Sequence, residues 1–125
     1  MRTRETIVEA AIALLAINPG ATMTQIATAA RVGRATLHRH FSSREDLLHE
    51  VARYALREME TATALIDYEK LQGVPLLQAV LDAVIPLGDR YYFLAALGTE
   101  GPADVIAAYA RQYAQLEEMV ERLKS

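Results

Sequence analysis

An all-α fold is predicted by three observations. Apolar residues recur at helical spacing in seven separate runs, Gly, Pro and capping residues punctuate those runs at their ends, and no run alternates with the two-residue period of a strand. The chain has 125 residues, 52% of them hydrophobic, which is enough for a real core in one compact domain or two small ones sharing a helix.

Ile7, Ala11, Leu14 and Leu15 form the stripe of a first helix between Thr3 and Ile17, which Asn18, Pro19 and Gly20 end. Thr22, with Gln25 three residues on, is the pattern of a capping box and starts a second helix through Ala30, with Ile26, Ala27 and Ala30 inward. "RVG" is a three-residue break, and Arg34 to His40 make a third short helix with Leu37 and Phe41 turned inward. Helix, short turn, helix is the helix-turn-helix arrangement. Ser43 and Asp46 signal a fourth start, and Leu47, Leu48, Val51, Ala55, Met59, Ala62 and Ile66 keep to one side for about six turns.

Gly73 and Pro75 begin a fifth helix with Leu77, Val80, Leu81, Val84 and Ile85 expected inward, closed near Pro86 and Gly88. Asp89 is expected to cap a short aromatic sixth helix through Tyr91, Tyr92, Phe93 and Leu94 to Gly98. Pro102 then introduces a seventh over residues 103 to 124. Its Ile106, Tyr109, Tyr113, Leu116, Val120 and Leu123 step by three and four, the spacing of a seam between antiparallel bundle neighbours.

The formal charge of −3 conceals a segregation. Residues 1 to 44 carry six arginines against Glu5 and Glu9, a net of +4, whereas residues 45 to 125 carry seven basic and fourteen acidic side chains, a net of −7. From Ala10 to Arg44 there is no acidic residue. A basic end that meets a polyanion and an acidic body that does not is the functional reading; chance clustering is the plain one.

The absence of cysteine and tryptophan excludes disulfides and thiolate metal sites. Three histidines without HExxH spacing point to no metal, and no cofactor is expected. The uncharged run over residues 10 to 30 does not read as a signal peptide or membrane span, because Glu5 and Glu9 interrupt a cationic start and "NPG" breaks the run. The expectation is a soluble cytoplasmic protein that is not an enzyme, since no nucleophile and base pair, glycine-rich phosphate loop or paired-carboxylate motif is present.

"GRATLHRHF", residues 33 to 41, concentrates the basic charge. A helix fits the major groove of B-DNA, and the start of the second motif helix reaches base edges while the first motif helix crosses the backbone. With Leu37 and Phe41 inward, Arg34, Arg39 and His38 are the candidates for reading sequence. Ala35 or the Thr36 methyl suits a thymine methyl, and Thr or His side chains can donate to phosphate. The free backbone donors at the starts of the second, third and fourth helices are further phosphate sites, with Arg44 beside the last. A solvated basic face on an ordinary helical hairpin is the competing interpretation, and for His38 and His40 simple surface histidine.

These residues resemble the tetracycline-repressor (TetR) family of bacterial regulators. The resemblance runs from "IVEAAIALLA" through "ATMTQIATAARVGRATLHRHFSSREDLLHEV", almost fifty continuous residues. Ile7, Ala10, Ala11, Leu14, Thr22, Ile26, Ala27, Val32, Thr36, Leu37, His40, Phe41, Ser43, Glu45, Leu47 and Leu48 fall where that pattern wants those types. It implies a helix-turn-helix head over residues 1–46, a helical ligand-binding and dimerisation body over 47–125, a homodimer on a palindromic double-stranded operator, and repression relieved by an unidentified small molecule. Thr24, Arg34, Ala35, Thr36, His38, Arg39 and Arg44 would face DNA, with His40 on phosphate or supporting the helix.

The chain departs from the pattern at Arg31, where the turn usually has Gly, at Gly33, where Ser or Thr usually caps, and at His38, where Tyr is common. A non-Gly residue at positive φ costs about 1 kcal/mol or more. His38 is expected to make DNA affinity vary between about pH 6 and 8, because imidazolium holds phosphate more strongly than imidazole. Members usually continue for two further long helices, so a fragment of a longer product is expected.

In the family the ligand lies within the body, which nominates Met59, Ile66, Leu81, Ile85, Tyr92, Phe93, Tyr109 and Tyr113; core packing is the other role open to each. A dimer spans half-sites about 34 to 36 Å apart, so a ligand that tilts the fourth helix forces one head out of register. A helical protein-interaction module without DNA binding and a small helical enzyme are the alternatives.

Overall fold

A computed structural model describes residues 3–97 and 101–124. Among them lie seven α-helices: α1 (Thr3–Ile17), α2 (Met23–Ala30), α3 (Arg34–His40), α4 (Arg44–Ala64), α5 (Gly73–Val84), α6 (Gly88–Leu97) and α7 (Ala103–Lys124), with a 3-10 turn at Ile85–Leu87 joining α5 to α6. Gly98, the expected end of the sixth helix, lies outside the described residues, as does Arg2.

The caps explain several of these boundaries. Thr22 and Gln25 form the reciprocal box at the start of α2, the Gln25 amide donating to Thr22 Oγ1 at 3.2 Å and the Thr22 amide to Gln25 Oε1 at 2.8 Å. Ser43 accepts from the Asp46 amide at 3.1 Å, but the Asp46 carboxylate takes the Ser42 hydroxyl instead of closing a second box. Gly73 enters α5 at φ +60°, a conformation that costs glycine little. Arg31 is the non-glycine described residue at positive φ, also +60°, and closes α2 by donating its amide to Thr28 O.

One continuous apolar cluster runs from Ile7, Ile12 and Leu15 of α1 through Ile26, Leu37 and Phe41 to Leu47, Val51 and Met59 of α4, and on to Phe93, Leu94 and Val105. The head is therefore built onto the first half of α4 and onto α6, not hung from a linker. A smaller cluster, Leu76, Val80 and Met119, closes the far end against Ile66, Tyr68 and Leu71. Between the two, α4 and α7 share a buried polar link in which the Gln112 amide donates to Thr63 Oγ1 at 2.9 Å. A hydroxyl and an amide that satisfy each other cost little to bury, and their geometry sets the register of the two helices.

Two inward faces differ from the expected ones. In α5 the buried residues are Leu76 and Val80, while Leu77, Leu81 and Ile85 are 40%, 42% and 68% exposed. Both stripes of this helix are apolar, so periodicity had no contrast with which to choose, and Met119 of α7 settles it by packing on Leu76 and Val80. In α7 the buried face is Val105, Ala108, Gln112 and Met119. The expected seam sits partly around the cylinder, with Tyr113 at 53% and Val120 at 44% exposure.

Candidate nucleic-acid interface

The short helix α3 is held by what it buries. Leu37 is fully buried and Phe41 is 2% exposed. Arg4 of α1 stacks its guanidinium 4.4 Å from the Phe41 ring centre, donates to the His40 carbonyl at 2.9 Å and pairs with Glu50 at 3.5 Å. That clamp ties the first, third and fourth helices together. No periodicity signals it, since Arg4 reads in sequence as an ordinary surface residue.

With those two anchors inside, Arg34, Ala35, His38 and Arg39 are all exposed, at positions i, i+1, i+4 and i+5 of one helix face. Arg39 donates to Thr36 Oγ1 at 3.1 Å, which fixes its guanidinium along that face, and Thr36 is half-buried beneath it. Arg34 stands exposed at the first turn of α3. Thr24 is exposed on α2, where its carbonyl accepts the Thr28 hydroxyl at 3.0 Å. His40 is half-buried, its ring 6.4 Å from that of Phe41, so it backs the helix rather than joining the open face.

Arg44 is tied to the loop that precedes α2. Its Nε donates to Ala21 O at 2.9 Å and its Nη2 to Pro19 O at 2.8 Å. Two loop carbonyls hold Nε and Nη2, so the guanidinium braces the α1–α2 turn.

Gly33 caps α3 without a side-chain bond, at φ −73° and ψ 157°, and a Cβ there would meet nothing within 4 Å. Gly33→Ser is therefore expected to stabilise the fold by about 0.5 to 1 kcal/mol, through a new cap and a less flexible unfolded chain. Arg31→Gly is expected to gain a similar ~0.5 kcal/mol by relieving positive φ, offset in part by unfolded-state entropy. Thermal melting of the two variants, singly and together, checks both.

A basic open face on the second helix of a helix-turn-helix matches what comparison with known proteins returns. The model of bacterial regulatory proteins of the tetR family matches residues 7–51. The HTH-type transcriptional repressor LfrR of Mycolicibacterium smegmatis is 36% identical over 93 residues, which are 74% of this chain and 49% of the repressor. The crystal structure of the TetR-like regulator LfrR from Mycobacterium smegmatis, in complex with proflavine, superposes with a TM-score of 0.68 at 30% identity over 98% of this chain and 68% of that one. This chain belongs to the TetR family. It spans about half the length of the curated repressor it matches.

The helical body contains a cleft of about 840 Å³, and a second of about 560 Å³ lies by Gln72, Leu76 and Arg122 at its far end. The larger opens between the second half of α4, α5 and the 3-10 turn, with Tyr54, Glu58, Ile66, Asp82, Pro86 and Leu87 on its walls. That size suits a drug-like molecule. Of the eight residues nominated for a ligand, Ile66 alone lines this cleft. Met59 and Phe93 are spent on the core, Tyr109 packs against it, and Leu81, Ile85, Tyr92 and Tyr113 are exposed on other faces. Hydrophobicity selected them, but the cleft is made by what α4 leaves uncovered, and that includes charged Arg57, Glu58 and Asp82.

The cleft wall is joined to the head. Arg90 of α6, with 13% of its side chain exposed, directs Nη2 to both oxygens of Glu9 at 2.9 Å, Nη1 to both oxygens of Asp89 at 2.9 Å, and Nε to Glu58 at 2.8 Å. All three nitrogens of the guanidinium are engaged. Burial opposes its charge, yet the carboxylates outweigh that and hold its proton more firmly than in an ordinary arginine. Tyr54 donates to the same Glu9 at 2.5 Å, and that bond, with burial adding to it, holds the phenol proton well above the usual tyrosine range. Sequence periodicity had no means of pairing Glu9 with a residue 81 positions away.

Among the described residues no three His, Cys, Asp or Glu side chains gather as a metal site, and no helix is long and apolar enough to cross a membrane.

Proposed function

We propose that this chain carries the operator-binding head and the ligand-sensing body of a transcriptional repressor. In this reading it acts as a homodimer on a palindromic site and is released by a small molecule held in the α4–α5 cleft. The observation that carries the reading is the open face of α3: Arg34, Ala35, His38 and Arg39 exposed together over a buried Leu37 and Phe41, on a head whose residues 7–51 match the tetR-family model. Residues 1–46 serve as the DNA-binding part and 47–125 as the regulatory part, with α4 shared.

Arg34 and Arg39 read guanine edges in the major groove, Ala35 and Thr36 offer methyl contacts, and Thr24 lies toward the backbone. His40 supports α3, and Arg44 keeps the α1–α2 loop in place. The relative LfrR was crystallised with proflavine, and a planar aromatic molecule of that size fits a cleft of about 840 Å³. A ligand that binds one head spacing better than the other shifts the population away from the spacing that matches two half-sites about 34 to 36 Å apart.

Selection of bound duplexes from a random pool tests the reading. A palindromic consensus is the expected result, with log affinity falling steeply and linearly against log salt. Recovery of no consensus, with binding that heparin abolishes at every sequence, would leave a helical interaction module in its place.

A further inference from the structure

The ion cluster around Arg90 is more than packing between α1, α4 and α6, because two of its members, Tyr54 and Glu58, are also walls of the cleft. Its charge does not balance. Glu9, Glu58 and Asp89 surround a single guanidinium, a local surplus of two negative charges, and Asp82 joins Glu58 as a second carboxylate on the cleft walls against one Arg57. Glu58 is the carboxylate common to both environments, with one side on Arg90 Nε and the other facing the cleft.

We propose that Arg90 is the latch between cleft and head: an organic cation seated at Glu58 competes with the guanidinium for that carboxylate, and so loosens the contact through which Glu9 holds α1 to α6. This deepens the function proposed above and rests on it. The exchange is electrostatically even, since one cation replaces another at Glu58. What changes is geometry. A guanidinium that loses its Nε partner keeps Asp89, its neighbour in sequence, and no longer has two fixed points to set the angle at which it grips Glu9. A neutral or anionic ligand has no such competition to offer, so the cleft selects cations for the same reason that it responds to them.

The competition makes a prediction of opposite sign for two variants, read as proflavine affinity by fluorescence titration without DNA. Glu58→Gln is expected to weaken binding roughly tenfold, by removing the counter-charge. Arg90→Gln is expected to tighten it roughly tenfold, by removing the competitor. A residue that only supports the fold would weaken binding or leave it unchanged when lost. Because Arg90→Gln leaves three carboxylates together and is a candidate for misfolding, amide hydrogen exchange of the wild-type chain is measured beside it. Saturating proflavine is expected to speed exchange several-fold in α1 and the first turns of α6, with α2 unchanged.

Folded Arg90→Gln protein that binds proflavine no better than wild type overturns the latch. So does proflavine that fails to bind wild type, or wild-type exchange at α1 and α6 that proflavine leaves unaltered. None of these measurements uses an operator, so a chain that selects a consensus duplex but fails them keeps its DNA-binding reading, and one that passes them but selects no duplex loses it.

Discussion

Phe41→Ala is expected to cost about 3 to 5 kcal/mol and to abolish operator binding at any salt concentration. The ring is 2% exposed and closes the C-terminal end of α3, so truncation loses its transfer energy and leaves a cavity that three helices border. It also strands Arg4, whose guanidinium lies 4.4 Å from the ring centre. Against a total stability of about 5 to 15 kcal/mol for a domain of this kind, the loss is a large fraction, and a melting point lower by roughly 10 °C or more follows. The α3 helix has seven residues, too few to persist without its anchors. Its open face is therefore lost before the remainder of the chain unfolds. A variant that melts within a degree or two of wild type would contradict the burial of Phe41 and the account of how α3 is held.

Arg34→Ala is expected to act on recognition and to leave the fold alone. The side chain is exposed at the first turn of α3, where substitution usually changes stability by less than about 0.5 kcal/mol. Loss of one bidentate guanine contact removes about 1 to 3 kcal/mol of discrimination at its base pair, or roughly 5- to 150-fold for each half-site. Affinity for unrelated duplex should barely move. The comparison is a variant that loses only a phosphate contact, which lowers affinity for every sequence alike and reduces the salt slope by about one unit. Binding isotherms on consensus and scrambled duplexes at several salt concentrations separate the two. Equal losses on both duplexes for Arg34→Ala would remove it from base reading.

The head was open to sequence reading because its signals are local. Thr22 with Gln25, Ser43 with Asp46, and the break at Arg31 to Gly33 each act within four residues, and each stands at the helix boundary it predicts. Leu37 and Phe41 differ so clearly from their polar neighbours that only one face of α3 can be buried. The body lacked that contrast. In α5 and α7 more than one face is apolar, and which one turned inward depended on the neighbour that reached it. The charged contacts were invisible for a related reason. Arg44 on the Pro19 and Ala21 carbonyls, Arg4 on Phe41, and Arg90 between Glu9 and Glu58 join residues 23 to 81 positions apart, and hydrophobic spacing carries no record of them.

By itself, then, the order of residues determined seven helices, a helix-turn-helix at the basic end and the two side chains that orient its outward face, because capping and amphipathic spacing act within a turn or two of the chain. Tertiary packing alone decided which stripe of α5 and of α7 is buried, where the cleft opens, and that its Glu58 shares a guanidinium with Glu9 of the head. Those outcomes turn on charges and shapes that meet only once distant helices have docked.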